Sequence, residues 1–404
     1  MNDFQDKPYF YIETDSALKS LIAQMRQANQ IAIDIEADSM HHYYEKVCII
    51  QLTFNCQNYI VDPLLGMDVS EFLEVLSSKF LIVHDGGYDL RMMRSSFDFS
   101  PGPEIFDTML AAQLLGFQHF GLGALVERFF GIKLKKGSQK ADWSRRPLSP
   151  ALLKYASDDT RYLFGLTDKL SKELNRLGRY SWHQQACERM VGSTALDPPP
   201  PDPENIWRIK GASLLKPSEL VFVKEIYYWR QEQAQKADRP PFKIMPNRQI
   251  LELAVWAKTH GTTPLGNGPK IPRNCKAVRL KALERAILKA HKTPESDWPS
   301  RRKKSAPRRY IPDCKLFIHA LWDESHHLAN QLHIPPSILA TRAAIGAIAF
   351  NRPQTVSGIM KCSRMMLWQA ELLQPVVQKI MKKLEIQPTT AYKGQHHGNS
   401  VSGM

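Results

Sequence analysis

Short apolar runs alternate with helical patterns in the first part of the chain. Four runs have the length and the β-branched content of strands, at residues 31–36, 47–54, 59–62 and 81–84. Helical periodicity is present at about residues 69–76, 88–97, 107–116 and 122–130. Several early strands that are followed by helices predict an α/β domain with a mixed sheet flanked by helices.

One long helix is predicted next, and we expect it to be the longest of this region. Ser149 is a favourable N-cap and Pro150 occupies the first helical position, so the helix is predicted to begin there and to run to about Leu177. The remainder of the chain has few strand-like runs. It is therefore predicted to be mostly helical, in two segments of similar length.

Two breaks divide the chain. The proline-rich stretch at 197–203 disfavours both helix and central strand, and residues 292–312 combine prolines with a basic run at 301–309. The breaks and the two helical segments predict the following organisation: a first domain over 1–195, a stiff proline-rich linker over 196–210, a helical domain over 211–291, a flexible basic linker over 292–312, a second helical domain over 313–386, and a disordered tail over 387–404.

Composition and charge narrow the class of protein. With 404 residues, of which 43% are hydrophobic and 23% charged, the chain is neither disordered nor fibrous. The net charge of +14 is uneven, because residues 1–195 hold 21 of the 54 basic and 24 of the 40 acidic residues. The basic second half is suited to hold a polyanion on which the first half acts. A merely soluble basic surface explains the charge equally well.

The sequence also argues against a membrane protein and a secreted protein. No apolar run is long enough for a membrane span, and the N-terminus has no apolar signal region. The six cysteines form no CxxC pair, so we expect a reducing, cytoplasmic location without disulfides and without a cysteine zinc site.

Acidic residues mark the strand at 31–36. Its isoleucines face one side, while Asp34 and Glu36 lie two residues apart on the other side. Two neighbouring acids on an apolar strand repel each other and are costly to desolvate, which favours a bound cation. A solvent-facing strand surface is the simpler alternative.

Further acids lie on two predicted helices. Asp89 follows the strand at 81–84 and its Asp-Gly-Gly turn, at a strand-to-helix junction where α/β sites often collect their groups. Tyr155 and Asp159 are four residues apart and project from one helical face, whereas Asp158 points away. Taken alone, Asp89 also fits ordinary complementation of a helix dipole.

Together these groups predict a metal site. The four carboxylates form a hard-oxygen donor set, and no cluster of His or Cys accompanies them. Such a set is suited to two Mg²⁺ or Mn²⁺ ions in an enzyme that cleaves a phosphodiester. Asp34 would bridge the ions, and the other three acids (Glu36, Asp89 and Asp159) would flank them. Tyr155 would orient the attacking water rather than act as a free base, because its ordinary pKa is near ~10.

The same residues carry a family resemblance. IAIDIEAD, VHDGGYDL and YASDDTRYL resemble the three motifs of the four-carboxylate 3′–5′ exonucleases with a ribonuclease-H-like fold. The spacing of Tyr155 and Asp159 is that of the tyrosine subclass, and QKADWSRRPLSPALLKYASDD is similar to ribonuclease D and to the exosome-associated exonuclease. The resemblance covers about residues 30–180. It implies that Asp34, Glu36, Asp89 and Asp159 bind the metal ions and that Tyr155 orients the nucleophile.

The helical segments add to the resemblance. Residues 211–291 resemble the helicase-and-RNase-D C-terminal (HRDC) domain, and residues 313–386 resemble a second, diverged copy. In the family this domain helps to hold nucleic acid. The basic residues of the first copy would either contact RNA or form a solvated face: Arg273, Lys276, Arg279, Lys281, Arg285 and Lys289.

The resemblance implies a metal-dependent exoribonuclease that trims RNA with an accessible 3′ end, such as a tRNA precursor, and releases 5′-monophosphates. A DNA exonuclease and a non-catalytic nucleic-acid scaffold are the alternatives, and protein partners remain unknown. One departure is Ala37, where bacterial ribonuclease D usually has an aromatic residue after the glutamate. The loop at 41–44, HHYY, is predicted either to pack or to stack on a 3′ nucleotide.

Overall fold

The computed structural model describes residues 8–102, 104–135, 137–195, 202–261, 263–300 and 313–385. They cluster into two compact units, the first from residues 1–107, 126–166 and 190–308, the second from 108–125, 167–189 and 309–404. Three predicted segments fall wholly or largely outside the described residues: the basic run at 301–309, the proline-rich stretch at 197–203 and the tail at 387–404.

The first unit contains one mixed sheet. Its strands are β1 (Tyr9–Ile12), β2 (Gln30–Ala37), β3 (Val47–Phe54), β4 (Gln57–Val61), β5 (Phe80–Val83) and β6 (Ile105–Asp107). Their order across the sheet is β1-β4-β3-β2-β5-β6. The β2–β3 and β3–β4 pairs are antiparallel and the other three pairs are parallel. The predicted mixed α/β sheet is therefore confirmed.

The helices up to residue 195 are α1 (Asp15–Gln27), α2 (Ser70–Ser77), α3 (Gly87–Phe97), α4 (Thr108–Leu114), α5 (Leu122–Phe130), α6 (Pro150–Arg161), α7 (Leu163–Arg176) and α8 (Tyr180–Thr194). The remaining helices are α9 (Pro217–Lys236), α10 (Pro241–Ile244), α11 (Asn247–His260), α12 (Val278–Lys292), α13 (Cys314–Gln331), α14 (Pro336–Leu339), α15 (Arg342–Asn351), α16 (Val356–Ser363) and α17 (Leu367–Lys383). Among the described residues, no helix has the length and apolar character needed to cross a membrane.

The four predicted strands are confirmed, with ends that move by one or two residues. The prediction of one helix from Ser149 to Leu177 is wrong, because the chain breaks at Tyr162 between α6 and α7. The Tyr162 backbone N–H bonds to the Thr160 carbonyl, and its buried ring lies 6.1 Å from the ring of Phe130. The break lies in a segment that contains no proline after its first turn.

The helical part of the first unit has its own core. The 20-residue helix α9 is the longest described helix, and its contacts with α11 and α12 enclose large side chains such as Phe222 and Trp207. Leu220, Val223 and Ile226 are buried at helical spacing, as the sequence predicted. The segment at 211–291 therefore folds as a small helical bundle.

The second unit is helical as well. Trp182 of α8 stacks on Trp368 of α17 with ring centroids 4.3 Å apart, and the Arg179 guanidinium donates to the carbonyl of Leu332 at 2.5 Å. These contacts explain why residues 167–189 cluster with the C-terminal helices. The predicted domains are continuous segments of the sequence, whereas the two compact units combine separate segments that contact one another. The predicted domain boundaries therefore stay a prediction.

Candidate active site

Strand β2 places two acids on one face of the sheet. Its isoleucines, such as Ile33 and Ile35, are buried in the main core, while Asp34 and Glu36 face the other side and are half-buried. This alternation is the one that the sequence predicted. Helix α6 packs over β2, β3 and β4, so the acids lie beside it rather than in open solvent.

A tight turn after β5 positions Asp89. Asp85 has a left-handed φ of 58°, and a Cβ on Gly86 would lie 2.6 Å from the Val83 side chain, so only glycine fits there. The buried carboxylate of Asp107 accepts hydrogen bonds from the backbone N–H groups of Gly86 at 3.0 Å and Asp85 at 3.3 Å. The turn starts α3, whose first turn carries Asp89.

Helix α6 supplies the remaining groups. The Ser149 hydroxyl caps it by accepting from the Leu152 N–H at 3.3 Å. The hydroxyls of Thr160 and Thr53 hydrogen-bond at 2.7 Å in the buried contact between α6 and β3. Tyr155 and Asp159 are half-buried positions next to this contact. Asp158 pairs with Arg161 at 3.1 Å, in agreement with its predicted direction away from the site.

A salt bridge fixes the segment that leads into α6. Arg146 donates to both carboxylate oxygens of Asp62, from Nε at 2.5 Å and from Nη2 at 2.6 Å, and Tyr11 donates its hydroxyl to the same carboxylate. Arg146 also donates to the carbonyls of Trp143 at 2.7 Å and Cys48 at 2.9 Å. We name these three residues, Tyr11, Asp62 and Arg146, the Asp62 cluster.

The four acids share an unfavourable electrostatic environment. Burial raises the pKa of Glu36 to about 10, with further contributions from Asp34 and Asp159. Burial and then Asp34 raise the pKa of Asp89 and that of Asp159 above their ordinary values. Burial also raises the pKa of Asp34, against a hydrogen bond with Asp89 that lowers it. The charges that act on these groups are mainly other carboxylates, so a bound cation would stabilise the site.

The site fits a hard divalent ion in its chemistry. Asp34 and Asp89 hydrogen-bond to each other, which requires a shared proton that a cation would replace. Within the described ranges, no three His, Cys, Asp or Glu side chains are already close enough to ligate one ion. Carboxylates that repel each other are expected to converge only around a cation.

Tyr155 stays protonated at neutral pH. Burial and then the charges of Asp159 and Glu36 raise the pKa of its hydroxyl above the ordinary value, and a hydrogen bond from the Gln139 side chain opposes this. Its ring lies 6.1 Å from that of Trp143. A neutral hydroxyl beside the acids can orient a water molecule.

The chain is similar to known 3′–5′ exonucleases. Residues 9–175 match the family model described as "3'-5' exonuclease". The chain is 34% identical to ribonuclease D of Zymomonas mobilis over 60% of this chain and 63% of that protein, and 29% identical to ribonuclease D of Xanthomonas oryzae over 85% and 92%. Over these stretches the chain is similar to ribonuclease D. It thus spans somewhat less than two thirds of the first of these relatives.

A solved structure has the same overall fold. The crystal structure of Escherichia coli RNase D superposes with a TM-score of 0.68 at 24% identity, over 93% of this chain and 99% of that one. Residues 219–257 match the HRDC family model, within α9 to α11. The predicted fold class is therefore confirmed, and the HRDC match lies inside the predicted first helical segment, whose bounds at 211 and 291 stay a prediction.

The loop after β2 contacts the HRDC-like bundle within the first unit. The Asp238 carboxylate hydrogen-bonds to the His42 ring at 2.7 Å and accepts from the backbone N–H groups of Tyr43 at 3.0 Å and Tyr44 at 3.2 Å. The other ring nitrogen of His42 lies 2.9 Å from the Ser144 hydroxyl. Tyr43 packs against the bundle core, so its packing interpretation is confirmed, whereas Tyr44 is 58% exposed.

The predicted basic residues lie on or next to α12. Lys281 and Arg285 are exposed, while Lys289 pairs with Glu225 at 2.9 Å. This surface is available to a polyanion.

Sequence reasoning missed three groups that shape the site: Asp107, Gln139 and Asp238. Asp107 could have been noticed as an acid that ends the apolar run Ile105-Phe106. The other two act through contacts that no local pattern reports.

Proposed function

We propose that this protein is a metal-dependent 3′–5′ exoribonuclease that shortens RNA one nucleotide at a time. The observation that carries the proposal is the set of four half-buried carboxylates from β2, α3 and α6. Burial raises the pKa of all four, and neighbouring carboxylates raise it further for Glu36, Asp89 and Asp159. Such a set is unfavourable for the fold alone and is suited to two divalent ions, Mg²⁺ or Mn²⁺.

The residues have distinct roles in this proposal. Asp34, Glu36, Asp89 and Asp159 would hold the divalent ions through their carboxylate oxygens. Bound divalent ions lower the pKa of water and stabilise charge on a leaving oxygen. The protonated Tyr155 accepts a hydrogen bond from the attacking water and fixes its direction. Water adds to the terminal phosphorus, the bond from phosphorus to the preceding 3′ oxygen breaks, and that oxygen takes up a proton as the 5′-monophosphate leaves.

The substrate follows from the charge and from the relatives. Residues 196–404 hold 33 of the 54 basic residues and can contact the phosphates of the RNA body through the HRDC-like bundle. The E. coli structure is described as an exoribonuclease involved in structured RNA processing. We extend this to tRNA precursors with an accessible 3′ end, in the cytoplasm, where six free cysteines are stable.

A direct assay tests this function. RNA labelled at its 5′ end and carrying a single-stranded 3′ tail is incubated with Mg²⁺ and the full-length protein, beside the Asp34→Asn variant and DNA of the same sequence. We expect a ladder that shortens by one nucleotide, is absent in the variant and is slowed by a 3′-phosphate.

Other outcomes would change the proposal. Tight RNA binding without any ladder, in Mg²⁺ and in Mn²⁺, would indicate a scaffold. Faster shortening of DNA would indicate a DNA exonuclease. At sub-saturating RNA the rate of shortening should fall steeply as the salt concentration rises. A rate that does not change with salt would contradict the proposed phosphate contacts of the basic region.

A further inference from the structure

Gln51 lies in the middle of β3, directly opposite Asp34 of β2 in the antiparallel register. Residues that are directly opposite in such a pair share one face of the sheet, with Cβ atoms about 4.5–5.5 Å apart. Gln51 therefore faces the same side as the proposed metal ligands. It is fully buried, with an exposed fraction of 0%.

The side-chain amide of Gln51 has no hydrogen-bond partner. Neither Nε2 nor Oε1 is paired within the part of the chain that the structure describes. Thr53, two residues further along the same face, differs in this respect, because its hydroxyl bonds to Asn58 at 2.9 Å and Thr160 at 2.7 Å. A buried amide without partners destabilises a protein, so the residue type at position 51 is not explained by packing.

The geometry around Asp34 offers a partner. The Asp34 carboxylate is hydrogen-bonded to Asp89 and to the backbone of Ile35. A carboxylate that turns from Asp89 to a cation keeps further lone pairs that need a donor. The Gln51 amide is an unpaired donor directly across the strand pair.

We propose that Gln51 is a positioning residue that donates its Nε2–H to the Asp34 carboxylate when the site holds a divalent ion. Donors behind a metal ligand fix its orientation, and their loss typically weakens metal binding by about 10- to 100-fold. The inference rests on the proposed function, since it requires the four carboxylates to bind metal. Gln51 itself contacts neither the ion nor the RNA.

The test is Gln51→Met, which keeps the volume and removes the amide. We expect the melting temperature of the metal-free variant to be no lower than that of the wild type, because an unpaired polar group is lost. The Kd for Mn²⁺, measured by isothermal titration calorimetry, should rise about 10- to 100-fold. Turnover should recover as the Mn²⁺ concentration is raised, which a general folding defect would not allow.

Thr53→Val is the matched control on the same strand face. Loss of its two hydrogen bonds should lower the melting temperature and leave the Kd for Mn²⁺ unchanged. Equal Kd values in the wild type and Gln51→Met would overturn the role of Gln51 alone. Absence of Mn²⁺ binding by the wild type would overturn the proposed function as well. If Gln51→Met does not fold, Gln51→Leu provides the same comparison.

Discussion

Asp62 and the four acids of the proposed metal site, all in the first unit, have opposite electrostatic environments. The carboxylate of Asp62, 0% exposed, is paired with Arg146 through two hydrogen bonds and receives others from Tyr11 and from the Leu64 backbone. The acids at Asp34, Glu36, Asp89 and Asp159 interact mainly with one another. The chain neutralises an acid that holds the fold together, and leaves uncompensated those that we propose to bind metal.

Asp34→Asn gives the largest expected effect. Exonuclease activity should fall by about 1000-fold or more, since a metal ligand is lost. The metal-free variant should melt at a higher temperature than the wild type, because one buried like charge is removed. Gel assays and thermal melting in EDTA measure the two effects; a lower melting temperature would mean that Asp34 is structural, like Asp62.

Tyr155→Phe compares the tyrosine beside the four acids with Tyr11, the tyrosine that donates to Asp62. Turnover should slow by about 10- to 1000-fold while the Kd for Mn²⁺ is unchanged, because only the orientation of the water is lost. Tyr11→Phe is the control, and it should lower stability with little effect on turnover. Unchanged turnover in Tyr155→Phe would remove this hydroxyl from the mechanism.

Asp62→Asn tests the neutralised side of the comparison. It leaves the Arg146 guanidinium half-buried without its carboxylate, so the free energy of unfolding should fall by about 3 kcal/mol. Urea denaturation of the metal-free protein measures this change, and Mn²⁺ affinity of the folded variant should be little altered. A denaturation midpoint equal to that of the wild type would show that the ion pair adds no net stability.

The smallest effect is a dependence of stability on pH. The folded-state pKa values of the four acids are raised, so above about pH 4 the native protein binds more protons than the unfolded chain. Stability of the metal-free protein should therefore fall as the pH rises from about 4 towards 9. Asp34→Asn should reduce this dependence of stability on pH. Thermal melting in EDTA at several pH values compares the variant with the wild type.

Metal binding at neutral pH should also release protons, because the ions bind the ionised carboxylates. Calorimetry in buffers of different ionisation enthalpy counts these protons. No release, together with a flat pH dependence of the wild type, would contradict the raised pKa values.

The sequence predicted what depends on local periodicity. The two-residue repeat of β2 placed Asp34 and Glu36 on one face, and helical spacing placed Tyr155 with Asp159. The strands β1 and β6 have four and three residues and were missed, whereas β5, which also has four, was predicted from its wholly apolar run. The break at Tyr162 was missed because no proline or glycine lies at this position.

Other features depend on register and on distant contacts. That Gln51 lies opposite Asp34 requires the pairing of β2 with β3, which a single sequence does not report. A single sequence also does not report that the Asp107 carboxylate holds the turn at Asp85 and Gly86, which lie 22 and 21 residues earlier in the chain. The family resemblance supplied the ligand set, but not the groups that support it.

The contact between Asp238 and the loop at 41–44 also has a consequence for protein synthesis. It joins residues that are 196 positions apart, so a growing chain cannot form it until the HRDC-like bundle has left the ribosome. At about 5–20 residues per second, that delay is roughly 10–40 s after the loop is translated. During this interval the loop that follows β2 lacks its anchor at Asp238.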